Sequence, residues 1–195
     1  MMLDHTLRNT DSPRRLKPFN LYYHMYSGEK QAALSAIKHF LRQARTGLVT
    51  PIHTSDYAAI ADDFFTTEIS QIDHNSWAVT KRGAMQTVRF DDAAELAVHL
   101  PASPGVIGFN RHEKSLFVTL DPAVERAVVT LQPITVTMPR PVSGETPISL
   151  VHARWRLSNL KRSGCGGTVT TQGFGPGQML WQTEADRGVQ AIAIR

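Results

Sequence analysis

The residues NLYYH (20–24) end an apolar, aromatic run on a histidine, and Ser27-Gly28 and a charged helix start follow. An imidazole where a strand runs out can give or take a proton near neutral pH, because its ordinary pKa lies near ~6.5. His24 is therefore the first candidate catalytic group. The competing assignment is a core histidine hydrogen-bonded to a backbone carbonyl. His53, in PIHTSDY (51–57), also ends an apolar stretch beside a helix start and is a second candidate site residue. The eight histidines stand at 5, 24, 39, 53, 74, 99, 112 and 152, and no two are three to five residues apart. A zinc motif needs such a pair on one helical face, so no metal ligand is assigned in this chain. The lone Cys165, in SGCGG, has no histidine motif beside it and reads as an inert thiol rather than a nucleophile. GFGPG (173–177) precedes an expected strand rather than a helix, which excludes a dinucleotide loop. No Walker, serine-hydrolase or zincin motif is present.

The elements that must position these groups fall into two patterns. PFNLYYHMY (18–26) reads as a short buried strand, with Ser27 as the cap of a helix that runs to about Thr46 and stops at Gly47. Ala33, Leu34, Ile37, Phe40, Leu41 and Ala44 recur at helical spacing and make its apolar face. LVTPI (48–52) reads as a second strand, and Thr54 or Ser55 as the cap of a second helix, DYAAIADDFF. Strand, helix, strand, helix is the repeat of a parallel α/β sheet or barrel. Two such units cannot close a barrel, and a parallel sheet needs both faces covered, so this half reads as the end of a larger domain.

From about residue 66 onward the signal changes to short strands: TEISQI, SWAVTK, MQTVRF, GVIGFN, SLFVTL, AVVTLQPITVT, LVHARWRL, TVTTQ, QMLWQT and VQAIAI. DHN (73–75), RG (82–83) and NRHEK (110–114) read as hairpin turns between them. Alternation assigns the tryptophans to the core: Trp155 shares a face with Ala153 and Leu157, Trp77 with Val79, and Trp181 with Met179. Phe109 and Phe174, near loops, are the aromatics left over for stacking on a sugar.

The chain has 195 residues and is 42% hydrophobic and 19% charged, which is a globular composition rather than a disordered one. The net charge of +4 is partly local, since Arg8, Arg14, Arg15 and Lys17 crowd the first 17 residues. With no RNA-binding aromatic motif or zinc-finger spacing, nucleic acid is not an expected partner. No apolar run approaches ~20 residues, so no membrane span is expected. MMLDHTLRNTDSPRR lacks the apolar stretch of a signal peptide. One cysteine excludes an intrachain disulfide and leaves the compartment open.

LKPFNLYYHMYSGEKQAALSAIKHFLRQARTGLVTPIHTSDYAAIADDFF (16–65), followed by WAVTKRGAMQTVRFDD (77–92), resembles the C-terminal end of bacterial polysaccharide deacetylases of the Pel exopolysaccharide type. The resemblance is densest from Lys17 to Asp92; beyond that only the strand-rich pattern and ARW (153–155) carry it. It implies that a deacetylase barrel precedes this region and that a carbohydrate-module-like β-sandwich ends it. It also implies a role for His24, as the general acid that protonates the departing amine during amide hydrolysis of an N-acetylhexosamine polymer. Apart from the resemblance, Tyr22 and Tyr23 flank His24 on opposite faces of the expected strand, where either packing or lining a sugar site is open to them, and His53 could reach the same face as a further substrate-binding residue. A divalent metal such as zinc would activate water only in a completed barrel, whose ligands and base this chain lacks. The implied partners are a polysaccharide and an upstream barrel polypeptide, and the implied location is periplasmic or otherwise extracytoplasmic.

The expected fold is α+β: an irregular arm over 1–16, a partial parallel α/β remnant of a deacetylase barrel over 17–66, and an antiparallel β-sandwich over 67–195. The alternative function is a non-catalytic carbohydrate-binding or scaffold module.

Overall fold

The computed structural model describes residues 18–46, 49–134, 148–163 and 166–182, and the backbone of 189–194. The arm expected over 1–16 and the thiol of Cys165 lie outside the described residues. The chain is mixed α+β and divides into two compact units, one ending at Thr50 and the other starting at Pro51.

In the first unit, a 3₁₀ turn (Met25–Glu29) leads into helix α1 (Gln31–Thr46). The Ser27 cap expected from the sequence is displaced: Ser27 sits inside the 3₁₀ turn, its N–H bonded to the carbonyl of His24. Of the expected apolar face, Phe40 is buried, Ala33, Leu34, Ile37 and Ala44 are half-buried, and Leu41 is exposed. The strands expected at 18–26 and 48–52 do not form among the described residues. The physical reason is that a strand, unlike a helix, makes no hydrogen bonds within itself and needs a neighbour. The aromatic run at 18–24 precedes the 3₁₀ turn without joining a sheet.

The second unit opens with α2 (Thr54–Thr66) and continues, among the described residues, through twelve strands: β1 (Glu68–Asp73), β2 (Ser76–Thr80), β3 (Thr87–Phe90), β4 (Leu96–Val98), β5 (Val106–His112), β6 (Ser115–Leu120), β7 (Ala127–Pro133), β8 (Ser149–Ala153), β9 (Arg156–Ser163), β10 (Gly166–Gln172), β11 (Gly177–Gln182) and β12 (Val189–Ile194). They form a four-stranded sheet in the order β1-β2-β7-β4, a six-stranded sheet in the order β12-β11-β8-β5-β6-β3, and a β9–β10 ribbon. Among the described residues every pairing is antiparallel except β5 with β8.

Two differences from the sequence reading matter. LVHARWRL is two strands, β8 and β9, broken at Arg154-Trp155. The RG pair at 82–83 is not a hairpin, because β2 and β3 lie in different sheets. Instead Gly83 takes a positive φ of 45°, and a Cβ there would collide with the Asp63 carboxylate. That absence of a side chain lets Asp63 accept the N–H of Ala84 at 2.6 Å and tie α2 down. Helix α2 thus belongs with the strands: its half-buried residues include Asp56, Ile60 and Asp63, while Phe64 and Phe65 stay exposed.

One core joins the two larger sheets. Val79, Val98, Val129 and Leu131 from the four-stranded sheet pack with Val88, Val106, Leu116, Val118 and Leu120 from the six-stranded one. Alternate residues of β6 supply Leu116, Val118 and Leu120, as a strand with one buried face must. Each such side chain contributes about 1.5–3 kcal/mol relative to exposure. A second core, of Ile107, Leu150, Trp155, Leu157, Met179 and Trp181 among others, lies between β8, β9 and β11. The two cores are linked by polar anchors. Buried Asp121 accepts the N–H groups of Ala123, Asn159 and Leu160. Arg162 donates to the carbonyls of Val106, Ile107 and Ile148. The core assignments of Trp155, Trp181 and Trp77 agree with this packing, Trp77 being partly buried at the margin of the first core.

Candidate functional site

His24 precedes the 3₁₀ turn with extended backbone (φ −87°, ψ 151°) and an exposed ring. That ring stacks on Tyr26, with centroids 5.0 Å apart and planes 9° apart, and meets Tyr22 edge-on at 5.2 Å. Tyr22 is 78% exposed, and Tyr23, Met25 and Tyr26 are exposed with it. The three rings are brought together by local chain geometry, at spacings of two residues. An imidazole held this way is oriented by two aromatic neighbours and stays exposed to solvent. A core histidine would be neither exposed nor stacked between surface tyrosines, so the alternative assignment is set aside.

A second cluster is built in the strand-rich unit from three separate stretches of chain. Pro51, Ile52, His53 and Asp56 come from the start of α2, Arg156 from β9, and Gln172, Gly173 and Phe174 from the end of β10 and the loop after it. Together they line an open cleft of about 160 Å³. His53 caps α2 with extended backbone (φ −69°, ψ 152°) and makes no side-chain capping bond, which leaves its ring for the cleft. The ring meets Phe174 edge-to-face, at 4.8 Å and 89°. Phe174 is 48% exposed, on a loop where burial does not dictate an aromatic. The loop is seated because Gly173 lies against the buried indole of Trp155, whose Nε1 donates to the carbonyl of Gly175 at 3.3 Å.

Charge in the cleft is balanced. Asp56 lies in the first turn of α2, where the helix dipole favours an anion, and its Oδ2 is 3.4 Å from Arg156 Nη1. Arg156 Nε also donates to Gln86 Oε1 at 3.3 Å, and Gln172 pairs with Arg156 across the β9–β10 ribbon. The cleft therefore presents an aromatic wall, a neutralised ion pair and a side-chain amide. Such a set can stack against a ring or methyl group and can donate to and accept from neutral polar substituents. It contains no nucleophile with an adjacent base.

Of the site residues expected from sequence, Tyr22 and His24 come together in the first unit, and Tyr23 is exposed beside them. His53 belongs to the second unit, where it joins Phe174. Phe109, the other leftover aromatic, instead packs against the first core, with the guanidinium of Arg111 over its ring at 5.9 Å. Asp56, Arg156 and Gln172 were not expected from the sequence, because Asp56 and Arg156 stand 100 residues apart in the chain and no local pattern links them.

Among the described residues no three of His, Cys, Asp and Glu converge to hold a metal ion. Among the same residues no helix is long and apolar enough to cross a membrane. Comparison with protein-family models, with curated proteins and with solved structures returns no match.

Proposed function

We propose that this chain is the C-terminal part of a metal-dependent, extracytoplasmic polysaccharide N-deacetylase acting on an N-acetylhexosamine exopolysaccharide. In this reading the first unit is the last portion of a deacetylase barrel. The chain is inactive alone, because the metal ligands and the general base come from an upstream polypeptide. The observation that carries the reading is the solvent-open His24 ring between Tyr22 and Tyr26, in the string Tyr-Tyr-His…Ser-Gly-Glu-Lys that resembles the family. An imidazole is the kind of group that can give a proton to a leaving amine.

The test is acetate release from an N-acetylhexosamine polymer. The chain alone releases none. A polypeptide that also carries the Asp and paired-His barrel segment does, and His24→Ala in it abolishes turnover with metal content unchanged. Normal turnover by that variant refutes the general-acid role.

The cleft of His53 and Phe174 favours a second reading for the strand-rich unit, as a non-catalytic carbohydrate-binding module. A half-exposed aromatic beside a balanced ion pair and an amide is chemistry for holding a sugar rather than for cleaving one.

A further inference from the structure

The cleft between α2 and the β10–β11 loop has a charge balance that discriminates between two forms of one polymer. Resting on the carbohydrate reading of that cleft, we infer that it selects the neutral, N-acetylated form of a hexosamine polymer over the cationic, de-N-acetylated form.

Three observations carry this. First, the carboxylate available to an ammonium group is already satisfied. Asp56 faces Arg156 at 3.4 Å and sits in the first turn of α2, at the positive end of the helix dipole. An added cation would compete with Arg156 and meet an unfavourable field. Second, the wall opposite the charges is apolar. The edge-to-face pair of His53 and Phe174 offers an aromatic surface on which an acetyl methyl can pack, so the discrimination against the amine rests on the charge balance. Third, the size fits a substituent. At about 160 Å³ the cleft is smaller than the ~300 Å³ lower bound of ordinary small-molecule pockets. It is open and takes an acetamido group or one edge of a sugar ring while the rest of a polymer stays in water. Arg156 and the Gln172 amide can donate to the acetyl oxygen, and the Gln172 carbonyl can accept the amide N–H.

The consequence is directional. A unit of this kind retains polymer that has not yet been processed and releases the deacetylated product, the reverse of a product anchor.

Isothermal titration of the full chain tests this, with soluble N-acetylhexosamine oligomers and their fully deacetylated counterparts, at a pH where the free amines are protonated. The acetylated oligomer is expected to bind at least about tenfold tighter, the ratio set by roughly one unfavourable charge contact. Equal or tighter binding of the deacetylated oligomer overturns the selection while leaving the carbohydrate reading in place. Binding of neither overturns the carbohydrate reading itself. Phe174→Ala, at a half-exposed loop position where the fold does not depend on it, is expected to weaken the acetylated ligand about tenfold or more. Unchanged affinity removes the cleft as the site. Arg156→Gln frees Asp56 and is expected to shift the preference toward the cationic oligomer. A preference that stays at the wild-type ratio in a folded Arg156→Gln protein overturns the charge argument. If that variant does not fold, the wild-type comparison and Phe174→Ala still decide.

Discussion

Gly173→Ala is the substitution that most directly tests how the cleft is positioned. A Cβ at this position would fall against Cδ1 of Trp155, 3.1 Å from its Cγ and 3.2 Å from its Cβ. These atoms are at the root of a buried indole, not at the free end of a flexible side chain, and Nε1 of the same ring is anchored to Gly175. Relief needs a movement of about 1 Å by the ring or by the loop that carries Phe174. Overpacking of this kind costs about 1–3 kcal/mol. Restricting the unfolded chain by replacing glycine returns roughly 0.5 kcal/mol. The net loss is about 1.5 kcal/mol, close to tenfold in the folding equilibrium and roughly 3–6 °C in Tm for a chain of this size. The edge-to-face contact of Phe174 with His53, worth about 0.5–1.5 kcal/mol, is strained by the same movement, so oligomer affinity falls as well. Gly166→Ala is the control, because the nearest atom to a Cβ there is the carbonyl of Ser163 at 4.0 Å. Urea and thermal unfolding followed by circular dichroism, with titration of the acetylated oligomer, read out both effects. A Gly173→Ala protein whose midpoint and affinity equal those of Gly166→Ala refutes the claim that the indole seats this loop.

Two further outcomes are expected. Gly108→Ala places a Cβ against the backbone N and O of Leu150 and 2.6 Å from its Cα, at the one parallel pairing, where β5 joins β8 in the six-stranded sheet. Because backbone must give way, the loss is expected at the upper end of the overpacking range, about 3 kcal/mol, and an unchanged urea midpoint contradicts it. Burial, and secondly the charge of Arg154, hold the imidazole of His152 below its ordinary pKa. As pH falls through about 6.5 the unfolded chain gains a proton that folded His152 resists, so stability drops on acidification until the folded pKa is passed. His152→Gln is expected to flatten the fall in urea midpoint between about pH 7 and pH 5, and an unaltered slope refutes the assignment.

Much of the strand-rich half was legible because its signals are local. The alternation of Leu116, Val118 and Leu120, a turn within the expected 110–114 stretch and the core face of Trp181 follow from side-chain period and turn chemistry, which neighbouring residues set for themselves. The short strand β4 escaped notice, because three residues carry no period. Among the described residues the strands expected at 18–26 and 48–52 did not form, because apolar character marks a segment that wants a sheet without supplying one. Helix α2 was legible as a helix, but its attachment was not. It docks through the carboxylates of Asp56 and Asp63 and leaves Phe64 and Phe65 outside, the reverse of what hydropathy favours.

By itself, then, the sequence determined the two helices and most strands of the second unit, the aromatic setting of His24 and the surplus of Phe174 over the needs of the core. These rest on contacts within a few residues, where covalent spacing does the placing. Only the tertiary structure decided that His53, Asp56, Arg156 and Phe174 share one cleft. Their meeting depends on a hydrogen-bonded ribbon, on a glycine that admits the indole of Trp155, and on an ion pair spanning 100 residues of chain. No periodicity encodes such a meeting.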